Sequence, residues 1–280
     1  MYKVKTILLV FAQSRSGHHA VIDWMFNQYD DNKLFFNYNV VSNLDPLFKS
    51  RVQYYLNDKR YYRVISNSWI KSGLVEKKLK EFSLETLENV DFIENIDKNL
   101  LILNYEDINP DDIDKMFSST KEIFPEAKIY KVIVLRDLLN LVASKIKFAI
   151  QLTQKDIINH SQKVTDTVNL WKAYCKYVLN NKGVVHIVYN KWFSDDGYRE
   201  DLLDIIKSDK RDMAIPSLST FGGGSSFDGY KHSLSAKEMK VLERWKEYQD
   251  IPSFMNLCYG EDIKYYTGIL FGKAIYSKNT

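Results

Sequence analysis

An apolar run, Ile7-Leu-Leu-Val-Phe-Ala12, passes directly into Gln13-Ser-Arg-Ser-Gly-His-His19 and then into Ala-Val-Ile-Asp-Trp-Met25. That order reads as a buried strand, a loop of phosphate size and a helix. Main-chain N–H groups at a helix start, with the positive end of the helix dipole, form an anion site before any side chain contributes. Set on the triphosphate-binding pattern G-x-x-x-x-G-K-[ST], the segment keeps only the second glycine, Gly17. Ala12 stands at the first glycine, His18 at the lysine and His19 at the magnesium-holding hydroxyl. A metal-dependent triphosphate enzyme is therefore disfavoured. A loop whose cation is Arg15 suits an anion that needs no metal bridge.

The second constellation is Phe124-Pro-Glu-Ala-Lys128, then Ile-Tyr-Lys-Val-Ile-Val-Leu and Arg136-Asp137, with Ser144 eight residues beyond the arginine. An arginine at a strand end and a serine two turns into the next helix can meet on one phosphate. The first offers a forked, charge-assisted bond and the second a hydroxyl. The plain alternative is a salt bridge and a surface helix.

These residues need elements to hold them. Apolar runs predict strands over Lys5–Ala12, Arg63–Asn67, Asn99–Asn104, Ile129–Leu135 and Val184–Tyr189. Most lack period-two alternation, as strands covered on both faces do. Helical patterns cover Asp111–Ile123, Leu138–Leu152, Val164–Asn180 and Tyr198–Lys207, and Ser235-Ala-Lys-Glu238 is a capping box opening a helix that carries Leu242 and Trp245. The alternation predicts an α/β fold: one domain over residues 1–280, with a central parallel sheet of about five strands and helices on both faces. Ligands in such sheets sit beyond the carboxyl ends of the strands. The first loop, Glu106, Arg136 and Tyr189 all fall there.

Composition narrows the function. With 39 basic and 36 acidic residues the net charge is +3, which gives no support for a nucleic-acid or anionic-membrane partner. At 280 residues the chain has no need of disulfides, so Cys175 and Cys258 read as core thiols of a reducing compartment. The first apolar run is too short for a secretory segment, and no stretch approaches a membrane span, so a soluble, cytoplasmic protein is expected. His160, His186 and His232 lack metal-ligand spacing, and no metal is expected. Trp171 and Trp192 read as core. Tyr54, Tyr55, Tyr61, Tyr62 and Trp69 lie in a Tyr-, Asn- and Lys-rich segment that could bind a sugar or a phenol, though such rings more often pack a core.

Both motifs resemble those of the sulfotransferases that use 3′-phosphoadenosine 5′-phosphosulfate. The 5′-phosphosulfate loop of that family reads [KR]-S-G-T-T, matched here by Arg15, Ser16 and Gly17. Its 3′-phosphate motif is an F-P-x-A-K strand ending in R-D-P or R-N-P with a serine eight residues after the arginine, matched by Phe124, Pro125, Ala127, Lys128, Arg136, Asp137 and Ser144. Val188-Tyr189-Asn190-Lys191 stands where the family has Y-E-D-L, whose tyrosine lies by the adenine. The resemblance implies that Arg15, Ser16, Gly17, His18 and His19 hold the phosphosulfate, that Arg136 and Ser144 hold the 3′-phosphate, and that Tyr189 lies by the base.

Three departures stand out. Leu138 replaces the proline, and His18 and His19 replace two threonines. Imidazoles also donate to phosphate, and the alternative for each is a helix-start residue facing solvent. Gly222 to Gly229 lacks the family's R-K-G sequence but occupies a similar place. Gly223, Gly224, Ser225 and Ser226 could wrap a phosphate while Phe227 covers a base, or the segment is a plain flexible loop. Transfer to an acceptor hydroxyl or amine also needs a base. Glu106, in Leu103-Asn-Tyr-Glu-Asp107, is the first candidate and His18 the second, against a surface carboxylate for Glu106. The expected donor is 3′-phosphoadenosine 5′-phosphosulfate and the expected acceptor a small molecule or glycan. A nucleotide kinase or NTPase with a degenerate phosphate loop and a non-catalytic nucleotide-binding module remain the other readings.

Overall fold

Ile7 through Ala12 are fully buried, as are Leu100 through Leu103 and Val132 and Ile133, so the continuous apolar runs sit where neither face meets water. The computed structural model describes residues 3–30, 32–38, 53–56, 59–62, 97–153, 161–215 and 239–272. In chain order the elements are β1 (Lys3–Ala12), α1 (His18–Asn27), β2 (Lys33–Tyr38), β3 (Gln53–Leu56), β4 (Lys59–Tyr62), β5 (Asp97–Glu106), α2 (Ile113–Ile123), β6 (Lys128–Leu135), α3 (Leu138–Thr153), α4 (Ser161–Asn180), β7 (Val184–Val188), α5 (Tyr189–Ser194), α6 (Asp196–Ile206), α7 (Pro252–Leu257) and α8 (Glu261–Leu270). Short 3-10 turns cover Pro110–Asp112 and Arg244–Tyr248.

The fold is α/β. One sheet runs in the order β4-β3-β2-β5-β1-β6-β7. Five strands are parallel, and β3 and β4 extend them as antiparallel neighbours, with Leu34 opposite Leu56 and Tyr54 opposite Tyr61. The β2–β5 register sets Lys33 against Leu100 and Tyr38 against Tyr105.

The chain packs as two compact units. One comprises residues 1–11, 25–132 and 206–212, the other 12–24, 133–205 and 213–280. In the first, the buried Lys33 ammonium donates to the carbonyls of Phe26 and Tyr29 and lies 4.6 Å from the Phe26 ring. It thus satisfies a carbonyl that the last turn of α1 leaves open and another just beyond it, where a cation is favoured. Tyr29 Oη donates to the Ile206 carbonyl, and burial, foremost, pushes that hydroxyl far above its ordinary range. Asn109 caps the turn before α2 by accepting from Asp111 N, with Pro110 at the first position.

In the second unit, Trp171 and Trp192 are fully buried, and Cys175 and Cys258 are buried free thiols. Burial pushes both thiols up, Cys258 to about 12, so neither offers a thiolate.

Several expectations need correction. The helix expected to carry Leu242 and Trp245 is instead a bend followed by the 3-10 turn, with Lys246 N donating to Glu243 O at 3.0 Å. Tyr189 does not end a strand. It is the first residue of α5. Strands β2 to β4 lie where no strand was expected. The expected strand Arg63–Asn67, the capping box Ser235–Glu238, and Trp69, His160 and His232 fall outside the described residues. Among the described residues no helix is long and apolar enough to cross a membrane.

Candidate functional site

The site is built from the second unit, starting with the loop between β1 and α1. Gln13 is buried and its Nε2 donates to the Thr167 carbonyl at 3.0 Å, which fixes the start of the loop on α4. Ser16 N returns to Gln13 O at 3.1 Å, and Ala20 N to Gly17 O at 3.1 Å, so the loop closes tightly as the helix begins. Two residues make this possible with left-handed backbone, Arg15 at φ 70° and Gly17 at φ 84°. Glycine takes that conformation without steric penalty. For arginine it stores strain of about 1 to 2 kcal/mol. The Arg15 guanidinium lies over the Phe148 ring of α3, 4.8 Å from its centroid.

Ser16 Oγ and His18 Nδ1 share a hydrogen bond of 3.1 Å, and the His18 and His19 rings stand 4.2 Å apart. His18 is 3% exposed, which excludes the solvent-facing alternative for it, and His19 is half-buried.

Arg136, just past the end of β6, is 2% exposed. Its Nη1 donates to the Arg15 carbonyl at 3.1 Å and its Nη2 to the Val241 carbonyl, while Nε is buried with no partner. Among the described residues no carboxylate pairs with it. The neighbouring Asp137 is fully buried and committed elsewhere, accepting from Asn140 N at 2.9 Å and from Asn190 Nδ2 at 2.9 Å. Burial pulls the guanidinium below its ordinary value, with Tyr189 and then Asp137 acting the other way. A buried cation that lacks an anionic partner is several kcal/mol worse off than one facing an anion, so the carbonyls and the absence of a carboxylate among the described residues favour an anionic ligand here.

Ser144, the seventh residue of α3, is fully buried and accepts from Arg244 Nη1 at 3.3 Å. Arg244 was missed in the sequence. It lies 100 positions from Ser144 in a segment with no motif, and only the tertiary fold brings the two together. Tyr189 joins the group. Its ring sits 5.4 Å from the Arg136 guanidinium carbon and packs on Gly17, where a Cβ would fall 2.7 Å from Tyr189 Cζ. Burial raises the pKa of its hydroxyl, against the pull of Arg136 and Arg244, so the phenol stays neutral between two cations. Trp192 and Phe193 support the ring at 5.6 and 6.0 Å.

The structure thus gathers Arg15, Ser16, Gly17, His18, His19, Arg136, Ser144 and Tyr189 in one unit and adds Arg244. Glu106 belongs to the other unit, half-buried at the end of β5, beside Tyr105, whose ring stacks on Phe11 at 5.5 Å. Gly223, Gly224, Ser225, Ser226 and Phe227 lie outside the described residues.

No protein-family model and no curated protein matches the chain. Among solved structures it is similar to a sulfotransferase domain from the curacin biosynthetic pathway, with 11% identity over 97% of this chain and 99% of that one and a TM-score of 0.47. It is also similar to the sulfotransferase domain of the Synechococcus PCC 7002 olefin synthase, with 10% identity over 92% and 94% and a TM-score of 0.45. A sulfotransferase from Alicyclobacillus acidocaldarius gives 11% identity over 93% and 95% and a TM-score of 0.39.

Proposed function

We propose that the chain is a sulfotransferase that moves a sulfuryl group from 3′-phosphoadenosine 5′-phosphosulfate to a hydroxyl or amine of a small-molecule or carbohydrate acceptor. The observation that carries this reading is the buried Arg136 guanidinium, whose hydrogen bonds among the described residues go to carbonyls, beside the Ser144–Arg244 pair. Such a cluster suits a phosphate monoester, and it accompanies a phosphate-type loop that has lost the lysine and hydroxyl needed for magnesium-triphosphate chemistry.

In the reaction the bond from sulfur to the leaving phosphate oxygen breaks as a bond to the acceptor oxygen or nitrogen forms. The acceptor's proton passes to a base. Positioning and anion stabilisation dominate such a transfer, as they do in phosphoryl transfer. Arg15 and the loop N–H groups would hold the phosphosulfate, with the His18 and His19 rings as further donors. Arg136, Ser144 and Arg244 would hold the 3′-phosphate, the group that distinguishes this donor from ATP. Tyr189 would lie by the base.

Calorimetry with 3′,5′-adenosine bisphosphate and with ATP, each with and without magnesium, tests the reading. The bisphosphate should bind without metal and raise the melting temperature by mass action. Tighter binding of magnesium-ATP would replace the proposal with a nucleotide kinase or NTPase. Bisphosphate binding without sulfuryl transfer to any acceptor would leave a binding module.

Arg136→Ala should weaken bisphosphate binding by about 1.5 to 3 kcal/mol, the range for charged hydrogen bonds. Adenosine 5′-monophosphate should be nearly indifferent to the change. Equal losses for both ligands would make Arg136 a support of the loop alone.

For the base, Glu106→Gln should leave bisphosphate affinity unchanged and abolish the low-pH limb of the rate profile. If the limb persists with full turnover and His18→Ala removes it, His18 is the base.

A further inference from the structure

Residues Val241 to Glu247 lie along α3 like a strap, held by Arg136 just before the helix and by Asn140, Ser144 and Lys147 along it. Arg136 Nη2 donates to the Val241 carbonyl, Asn140 Nδ2 to the Leu242 carbonyl at 2.9 Å, and Trp245 N to Asn140 Oδ1 at 3.3 Å. Arg244 Nη1 donates to Ser144 Oγ, and Lys147 pairs with Glu247 at 3.1 Å. Asn140, Ser144 and Lys147 follow the spacing of one helix face.

Asn140 is the centre of this arrangement. It is 1% exposed, and every polar atom of its side chain is used. Nδ2 also donates to both Asp137 oxygens, at 3.0 and 3.1 Å. Only a primary amide satisfies a carbonyl, a carboxylate and an N–H from one position. A carboxylate there would face the Asp137 carboxylate and the Leu242 carbonyl, and an apolar residue would orphan the strap's polar groups. The two strap groups that Asn140 grips, Leu242 O and Trp245 N, bracket Arg244 in the chain. Holding both sides of that residue fixes the direction in which its guanidinium leaves the backbone.

We propose that Asn140 is a positioning residue that aims Arg244 at a phosphate monoester shared with Ser144 and Arg136, so that the site's preference for the 3′-phosphorylated nucleotide depends on a side chain that never touches the ligand. This rests on the donor reading above. It adds that recognition of the 3′-phosphate is assembled by docking the strap on α3, through an amide that no sequence motif marks.

The test is a double-mutant cycle between Asn140→Leu and Arg244→Ala, read by titration with 3′,5′-adenosine bisphosphate, adenosine 5′-monophosphate and inorganic phosphate, together with amide hydrogen exchange over residues 241–248. Arg244→Ala should weaken the bisphosphate about 10- to 100-fold, as loss of a charged hydrogen bond does, and leave the monophosphate within about twofold. Asn140→Leu alone should weaken the bisphosphate about tenfold, spare the monophosphate and speed exchange across the strap. In the Arg244→Ala background it should have no further effect on affinity.

Losses that multiply, or a monophosphate loss equal to the bisphosphate loss, would overturn the proposal, because Asn140 would then support the fold and not the aim of Arg244. Unchanged exchange over 241–248 would overturn it as well. If Asn140→Leu does not fold, Asn140→Ala, which removes the amide without inserting a branched group, carries the same cycle. Should the wild type bind inorganic phosphate but not the bisphosphate, the donor reading fails while the cycle, read with phosphate, still decides the role of Asn140. Binding of neither anion overturns both.

Discussion

Replacing Arg15 by alanine is expected to lower turnover at saturating donor by about 100- to 1000-fold, the usual consequence of removing one preorganised donor to developing charge. Bisphosphate affinity should change far less, because only interactions that strengthen toward the transition state accelerate the chemical step. The backbone of Arg15 supplies a control. Its φ of 70° is strained for any side chain, so Arg15→Gly relieves the strain that Arg15→Ala retains. The glycine variant should be more stable than the alanine variant by about 1 kcal/mol and equally slow. A glycine variant that keeps full turnover would remove Arg15 from the chemistry and leave the loop amides as the source of anion stabilisation.

The largest expected loss of stability is at Gly17. Alanine there must adopt φ near 84°, at about 1 to 2 kcal/mol, and its Cβ would fall within 2.7 to 2.9 Å of Tyr189 Cζ and Cδ2. The tyrosine has little room to yield. It is 5% exposed, with Trp192 and Phe193 beside it. Overpacking of that kind costs about 1 to 3 kcal/mol, so Gly17→Ala should lose about 2 to 5 kcal/mol in denaturant unfolding. In a Tyr189→Ala background the penalty should shrink to the backbone part, about 1 to 2 kcal/mol. An undiminished penalty there would mean that the ring is not the obstacle.

Much of the positioning frame was legible because it is local. The uninterrupted Ile7–Ala12 run has the pattern of a strand buried on both faces, and Arg136 and Ser144 are linked by a single helix. Strands β2 to β4 were not legible: Lys33-Leu-Phe-Phe-Asn-Tyr38 begins with a cation whose burial depends on carbonyls at and just beyond the end of α1. Tyr189 was expected by a nucleotide base, yet its position under Gly17 depends on packing that residue order does not carry. Arg244 and Asn140 escaped for the same reason. Each is chemically ordinary in sequence and acts across about 100 positions. A buried asparagine three residues after an aspartate reads locally as an N-cap partner, which it is, and its second task is tertiary.

The strand lengths in the sheet have a consequence of a different kind. The central pair, β1 and β5, have ten residues each, while the outermost strands, β4 and β7, have four and five. Among the described residues the two long strands lie side by side and the margins of the sheet are short. β4 also bears Lys59 and Arg60, two charges within four residues. Short margins, one of them charged, offer a poor template on which another chain could add a strand, so this order of lengths disfavours edge-to-edge aggregation.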